Sequence, residues 1–230
     1  MMSPRKVKSY ITQAGEVLVV DPGIEHVPFI RQLNPQFVIR SVSPSIGFKP
    51  NLARTRALRT GVPQDALPGM EDETLWQVHE RTLRESQVVR QDDSATLLDV
   101  KVELARRELL DCRLCGHRCG VNRFLTPGRC NLKEKAYVAE TFVHEGEEAV
   151  ITPAGTIKLF QCALHCTGCQ SWEVIFQKEH QMVTHGQVLD GRIWEQCTDF
   201  AQAATIEFVG GSPDESLPAI LNALCSLPPR

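Results

Sequence analysis

The chain has 230 residues, 42% of them hydrophobic and 23% charged, with a net charge of -3. This is the composition of a globular chain able to bury a core, and it lacks the basic excess of a general nucleic-acid or membrane-surface binder. No apolar run approaches the ~20 residues that a bilayer-spanning helix needs. The first residues are basic but have no apolar centre of the kind a secretory signal carries. A cytoplasmic setting is therefore expected, with neither nucleic acid nor membrane as partner.

In chain order, GEVLVVDPG (15–23) reads as a strand stopped by Pro-Gly, EHVPFIRQLN as a short helix and QFVIR as a second strand. Residues 44–70, rich in Pro, Gly and Arg, read as a long loop or linker. Residues 71–89 form a charged helix with a weak apolar stripe. The stripe over 92–111 is stronger: Leu98, Val102, Ala105 and Leu109 share a face, and Asp93 or Ser94 is placed to cap the start. Residues 136–155 alternate as a strand, and TIKLFQ (156–161) is a short strand that runs straight into Cys162. Ile193, Trp194, Cys197, Phe200 and Ala201 recur at helical spacing. TIEFVGG (205–211) is a further strand, and SPDESLPAILNAL opens a helix with Ser212 as cap, Pro213 in the first turn and Glu215 closing a capping box. From Thr156 onward the order is strand, helix, strand, helix, the signature of a parallel sheet or barrel whose chemistry sits at the C-terminal strand ends. No internal repeat is present.

Nine cysteines in such a chain need a cause, and seven of them lie between Cys112 and Cys169. Disulfides are disfavoured in a reducing cytosol, where short cysteine spacings read as metal or cluster sites. Cys112, Cys115, Cys119 and Cys130 form one group; four thiolates there suit either a tetrahedral zinc or an iron–sulfur cluster. Cys162, Cys166 and Cys169 form another, on a loop that follows a strand, and three thiolates leave one corner of a cubane cluster open. The competing reading is a structural zinc that borrows Cys197 or a histidine as fourth ligand. Cys197 and Cys225 read as small buried residues. His117 and His165 lie among the cysteines, where a lone histidine is ordinarily a surface residue. Arg113, Arg118, Arg123 and Arg129 make the first group locally basic, and solvated side chains are their ordinary reading. His26, His79, His144, His180 and His185 are scattered. There is no phosphate-binding loop, nucleophile signature or zinc-protease helix.

The loop QCALHCTGCQSWE (161–173) resembles the cluster loop of the radical S-adenosylmethionine (radical SAM) superfamily. Gln170-Ser171-Trp172-Glu173 is similar to a Gln-Asn-Trp-Glu sequence in the branch related to pyruvate formate-lyase activating enzymes. FVGGSP (208–213) resembles that branch's Gly-Gly-Glu-Pro segment, and CRLCGHRCGVNRFLTPGRC (112–130) the cysteine segment that precedes its core. The chain departs from the pattern at His165, Gly168, Ser171 and Ser212.

The resemblance implies an α/β fold: a partial, incomplete radical SAM-type βα barrel (136–230), preceded by a helix and Cys-rich metal-binding segment (91–135); the N-terminal region (1–90), which the resemblance does not cover, reads as α+β from its own strands and helices. It implies a [4Fe-4S] cluster on Cys162, Cys166 and Cys169. S-adenosyl-L-methionine would sit on the open iron, near Gly210, Gly211 and Ser212. A second iron–sulfur cluster or zinc would sit on Cys112, Cys115, Cys119 and Cys130, independent of the first. The implied chemistry is reductive cleavage of S-adenosylmethionine to a 5′-deoxyadenosyl radical for hydrogen abstraction. Flavodoxin or ferredoxin would be the electron donor, and a glycyl-radical-type protein the substrate. Two strands cannot close a barrel. The edge beyond Thr205–Val209 is therefore expected to be open to a separate C-terminal half or another copy. The alternative is a non-catalytic iron–sulfur or zinc protein with an electron-transfer or structural role.

Overall fold

A computed structural model describes residues 9–11, 17–19, 39–41, 55–84, 93–146, 152–176, 186–203 and 205–227. The first three of these segments are strands: β1 (Ser9–Ile11), β2 (Val17–Val19) and β3 (Ile39–Ser41). They form a separate sheet in which β2 pairs antiparallel with β1 and parallel with β3. The described strands β2 and β3 fall within or overlap the expected strands at 15–23 and QFVIR, and the helix expected between them lies outside the described residues.

The next unit is built on two helices, α1 (Asp72–Arg84) and α2 (Leu97–Arg107). Thr96 caps α2: its hydroxyl accepts from Asp99 N–H, and the Asp99 carboxylate accepts from Thr96 N–H at 2.7 Å. That capping box starts the helix two or three residues later than a cap at Asp93 or Ser94 would. Ser94 instead accepts a hydrogen bond from Gly61 N–H. Helix α2 buries more than the single stripe read from sequence. Val100 and Leu104 pack with Leu75 and Val78 of α1, and Leu98, Ala105 and Leu109 are buried as well.

The segment before α1 is no linker over its second half. Residues 58–62 run beside 95–97, with Thr60 N–H to Ala95 O at 2.9 Å and Leu97 N–H to Leu58 O at 2.8 Å. A 3-10 turn (Gln64–Gly69) then buries Leu67 against the helix pair. The boundary drawn near residue 90 therefore falls between two helices that share one core. Arg107 locks this corner. It pairs with Glu103 at 2.8 Å and donates to the carbonyls of Leu67, Pro68 and Met70 and to Asp72.

The second sheet has the order β6-β4-β5-β7. Its strands are β4 (Tyr137–His144), β5 (Ala154–Leu159), β6 (Gln187–Val188) and β7 (Thr205–Gly210). The expected parallel pair is β5 with β7; β4 lies antiparallel on the other side of β5, and β6 antiparallel beyond it. The link from β5 to β7 therefore visits the far edge of the sheet, so it is not a plain strand–helix–strand unit. Helix α3 (Trp172–Ile175) and helix α4 (Ile193–Gln196) are single turns, and a 3-10 turn (Thr198–Gln202) follows α4. Helix α5 (Leu217–Cys225) closes the fold, preceded by a 3-10 turn (Pro213–Ser216).

The core of this unit joins Val138, Ile157 and Leu159 of the sheet to Ile193, Phe200, Ile220 and Ala223 of the helical turns. Among the described residues β7 is an edge strand, half-buried throughout. No helix among them is long and apolar enough to cross a membrane.

The Glu103 carboxyl is held below its ordinary range, first by the Arg106 hydrogen bond; burial opposes this and Arg107 adds to it. A carboxylate depressed in the folded state stabilises above the unfolded pKa, about 4.3, and that contribution is lost as pH falls through the folded value. We expect Arg107→Ala to cost about 3 kcal/mol at neutral pH, because it breaks a largely buried pair and leaves carbonyls unbonded. It should also flatten the acid limb of the stability curve below about pH 4.3. Urea midpoints measured across that range check both.

Candidate metal centre

The two parallel strands bring their C-terminal ends to one place, with Leu159 of β5 in register with Gly210 of β7. The three-cysteine loop leaves the first end and Gly211-Ser212 the second. This is the end at which open α/β sheets place their sites. The two chain segments touch there. Gly211 N–H donates to Leu159 O at 3.0 Å. A Cβ on Gly211 would come within 2.0 Å of Gln161 O, and one on Gly210 within 2.8 Å of Leu159 O. Gly210 also has φ +90, which only glycine adopts freely. The glycine pair was expected to admit a ligand's amino group; in the structure the backbone it admits is that of Leu159–Gln161.

The loop has a fixed base and an open tip. Gln161 turns out of the strand direction at φ 67, and His165 sits at φ 46. Gln161, Cys162 and Ala163 are buried, Cys166 is exposed and Cys169 half-buried. Cys169 N–H donates to Cys166 O at 3.2 Å, so these two cysteines share one turn. Large apolar side chains surround the tip: Leu164, Trp172 and Phe176 are 65%, 59% and 54% exposed. The His165 ring lies 5.1 Å from that of Phe176.

The four-cysteine segment folds back on itself directly after α2. Cys112 N–H donates to Val121 O and Gly120 N–H to Cys112 O, each at 3.0 Å; Arg118 N–H donates to Cys115 O, closing the turn between them. Cys112 and Cys130 are buried, Cys115 and Cys119 half-buried. Burial acts to raise the Cys119 thiol, but backbone N–H groups of Arg129, Val121 and Cys119 itself, with the Cys112 thiol, outweigh it and leave the group lowered. Burial pushes Cys130 up to about 11. A Cβ on Gly128 would lie 3.3 Å from Cys130 Sγ and 3.5 Å from Cys119 Sγ, so both sulfurs press on one glycine.

Arg123, read from sequence as one of four solvated arginines, is 1% exposed. Its guanidinium donates to the carbonyls of Leu132, Lys133 and Glu215, and Nη1 lies 4.0 Å from Cys112 Sγ.

Cys112, Cys119 and Cys130 thus share one neighbourhood, with Cys115 on the same turn. Cys162, Cys166 and Cys169 share one loop. Among the described residues no three cysteine, histidine or acidic side chains lie close enough together to hold one metal ion. The donor chemistry fits a soft metal or an iron–sulfur cluster, since each group is made of thiols and the Cys119 sulfur already accepts N–H bonds that favour its anion. Cys197 does not serve as a borrowed ligand: it is enclosed in the sheet core with Ile193 and Phe200, where burial pushes its thiol up against the pull of a hydrogen bond to Thr141. Cys225 is half-buried on α5.

Two further expectations need correction. Ser212 makes no side-chain cap bond and its hydroxyl pairs with Asp214. Glu215 closes no capping box: it is 2% exposed and its Oε1 accepts from Ala163 N–H at 2.9 Å. His117 is exposed, as read from sequence, and its Nε2 also reaches Ala163 O at 3.1 Å. Arg123, Glu215 and His117 are the positions that sequence reasoning passed over. Only their nearness to the cysteine and glycine motifs marked them.

No family model matches this chain, and no solved structure matches it. An uncharacterized protein of Methanocaldococcus jannaschii is 34% identical over 170 residues, which cover 69% of this chain and 49% of that protein. The chain thus spans about half the length of this relative.

The glycine contacts give a direct test. We expect Gly211→Ala to destabilise by about 3 kcal/mol, because its Cβ must displace backbone. Gly168 on the same loop end has nothing within 4 Å of a built Cβ, so Gly168→Ala should stay within about 0.5 kcal/mol of wild type. Thermal or urea unfolding of the two variants side by side checks the contrast.

Proposed function

We propose that this chain is a metal-binding protein of the radical SAM type. In this reading Cys162, Cys166 and Cys169 hold a [4Fe-4S] cluster with one iron open to S-adenosyl-L-methionine. Cys112, Cys115, Cys119 and Cys130 hold a second centre, either iron–sulfur or zinc. The observation that carries the reading is the position of the three-cysteine loop: it leaves the C-terminal end of β5, beside the glycine pair that ends the parallel neighbour β7.

When bound, the cluster supplies the electron for reductive cleavage of S-adenosylmethionine. The chain's own residues hold and shield. Cys162 anchors the buried base of the loop, Cys166 and Cys169 present thiols near its tip, and Leu164, Trp172 and Phe176 offer apolar surface around them. A flavodoxin or ferredoxin as donor, a protein substrate of the glycyl-radical kind and a cytoplasmic setting belong to the same proposal.

A second reading, a non-catalytic metal protein with an electron-transfer or structural role, has an observation of its own. The approach that demands Gly210 and Gly211 is satisfied by the chain's own Leu159–Gln161 backbone, so the glycines need no ligand to explain them.

Electron paramagnetic resonance of the anaerobically reconstituted, reduced chain separates the two. A spectrum that shifts when S-adenosylmethionine is added supports an open iron; a cluster spectrum that ignores it supports the second reading. Replacing Cys162, Cys166 and Cys169 together by Ala should remove one cluster's worth of iron and sulfide and all cleavage of S-adenosylmethionine. Wild-type iron and sulfide counts in that variant would overturn the ligand assignment.

A further inference from the structure

Ala163 follows the first cysteine of the three-cysteine loop, and both peptide groups that flank it are held from elsewhere in the chain. The N–H of the 162–163 peptide donates to Glu215 Oε1 at 2.9 Å, in a buried site. The carbonyl of the 163–164 peptide accepts from His117 Nε2 at 3.1 Å. A carbonyl only accepts, so the ring must carry its proton on Nε2. His117 lies between Cys115 and Cys119, inside the four-cysteine segment. Glu215 is tied to the same segment from its other side, since its own carbonyl accepts from Arg123 Nη1 at 2.7 Å, the nitrogen that lies 4.0 Å from Cys112 Sγ.

The loop needs this support. Gln161 and His165, two residues to either side of Ala163, both have positive φ. Each such non-glycine residue costs about 1–2 kcal/mol and persists only where its surroundings impose it. The base of the loop is therefore held in part by His117 of the four-cysteine segment and by Glu215, which Arg123 of that segment holds in turn.

We propose that the two cysteine groups form one coupled unit joined at Ala163, with His117 and Glu215 as positioning residues, so that filling the four-cysteine segment with metal orders the three-cysteine loop. This rests on the reading of the first group as a metal site, and it replaces the expectation of two independent sites. The chain of contact is continuous: Cys112 to Arg123, Arg123 to the Glu215 carbonyl, Glu215 carboxyl to the Ala163 N–H, and, by a second route, Cys115–Cys119 through His117 to the Ala163 carbonyl. Coupling through a loop of this kind is ordinarily worth about 5- to 150-fold in an equilibrium.

The test uses the full chain with Cys166→Ser and Cys169→Ser, so that added zinc goes to the four-cysteine segment alone. Zinc content and amide hydrogen exchange over residues 160–170 are read before and after zinc addition. We expect zinc to slow exchange in this stretch by about tenfold. His117→Ala, a change at an exposed position, should abolish the slowing; His117→Gln, which keeps an N–H donor, should restore part of it. Glu215→Ala should raise exchange at Ala163 with and without zinc, and Glu215→Gln, which keeps the acceptor, should not. Unchanged exchange in α1 and α2 separates these effects from general unfolding. A chain that takes up no zinc overturns the metal reading of the first group and the coupling with it. Uptake of zinc with no change over 160–170, or the same change in His117→Ala, overturns the coupling alone.

Discussion

The part of the molecule that carries the cysteines is organised around a buried cation. A guanidinium is a charged group, and removing a charge from water is costly unless it is well bonded. Among the described residues the hydrogen bonds of the Arg123 guanidinium go to three backbone carbonyls and one cysteine sulfur rather than to a carboxylate. Those acceptors come from Cys112 at the start of the four-cysteine segment, from Leu132 and Lys133 in the lead into β4, and from Glu215 in the turn before α5. Three segments far apart in sequence must therefore meet at one point. The same charge acts on the thiols beside it, where it opposes the upward push of burial on Cys130. A buried arginine among cysteines makes anionic sulfur less costly there than in an apolar core.

The second constraint is steric. β5 and β7 lie so close at their C-terminal ends that Gly211 presses on Gln161 O, and this contact sets the direction in which the chain leaves β5. Gln161 responds with a positive φ, and the loop turns back across the sheet end toward α3, whose Val174 carbonyl accepts from Gln161 N–H. The placement of Cys162 thus follows from the strand pairing rather than from the loop's own sequence. That pairing is parallel, with the adjacent Thr156 and Ile157 of β5, which point to opposite faces, both buried, as suits a strand covered on both faces.

What the sequence disclosed divides along local and non-local lines. The parallel pair 156–161 and 205–211, the helix after Ser94 and the grouping of the cysteines all follow from patterns within about ten residues, and a reader of the sequence finds them. The shift of the α2 cap to Thr96 was open to the same reasoning, since Thr96 and Asp99 have the spacing of a capping box. Glu215 carries the same local signal and misleads. Its distance from Ser212 reads as a capping box, while its side chain is taken by Ala163, 52 positions away. Arg123 fails in the same manner: a charged residue in a loop reads as solvated until the fold shows which buried acceptors it meets, whereas His117 is exposed as read and only its bond to Ala163 was hidden. The insertion of β6 at the far edge of the sheet, between β5 and β7, was equally hidden. Two residues of strand leave almost no periodic trace.

The division of the three-cysteine loop into a held base and an open tip bears on which of its thiols does what. Cys162 is buried in a stretch whose backbone bonds lead to β7, α3 and Glu215, so its sulfur has little freedom to follow a moving partner. Cys166 is exposed on a turn shared with Cys169, beyond the strained His165. A centre bound by all three would be fixed at one corner by the core and gripped at two others by a segment that can adjust. Leu164, Trp172 and Phe176, close to these cysteines in sequence, leave apolar surface exposed. Exposed apolar side chains beside a reactive group serve to exclude water once something covers them. The buried side of the loop is therefore the side tied to β7, α3, Glu215 and His117, and the exposed side is the one those bonds leave free of the core.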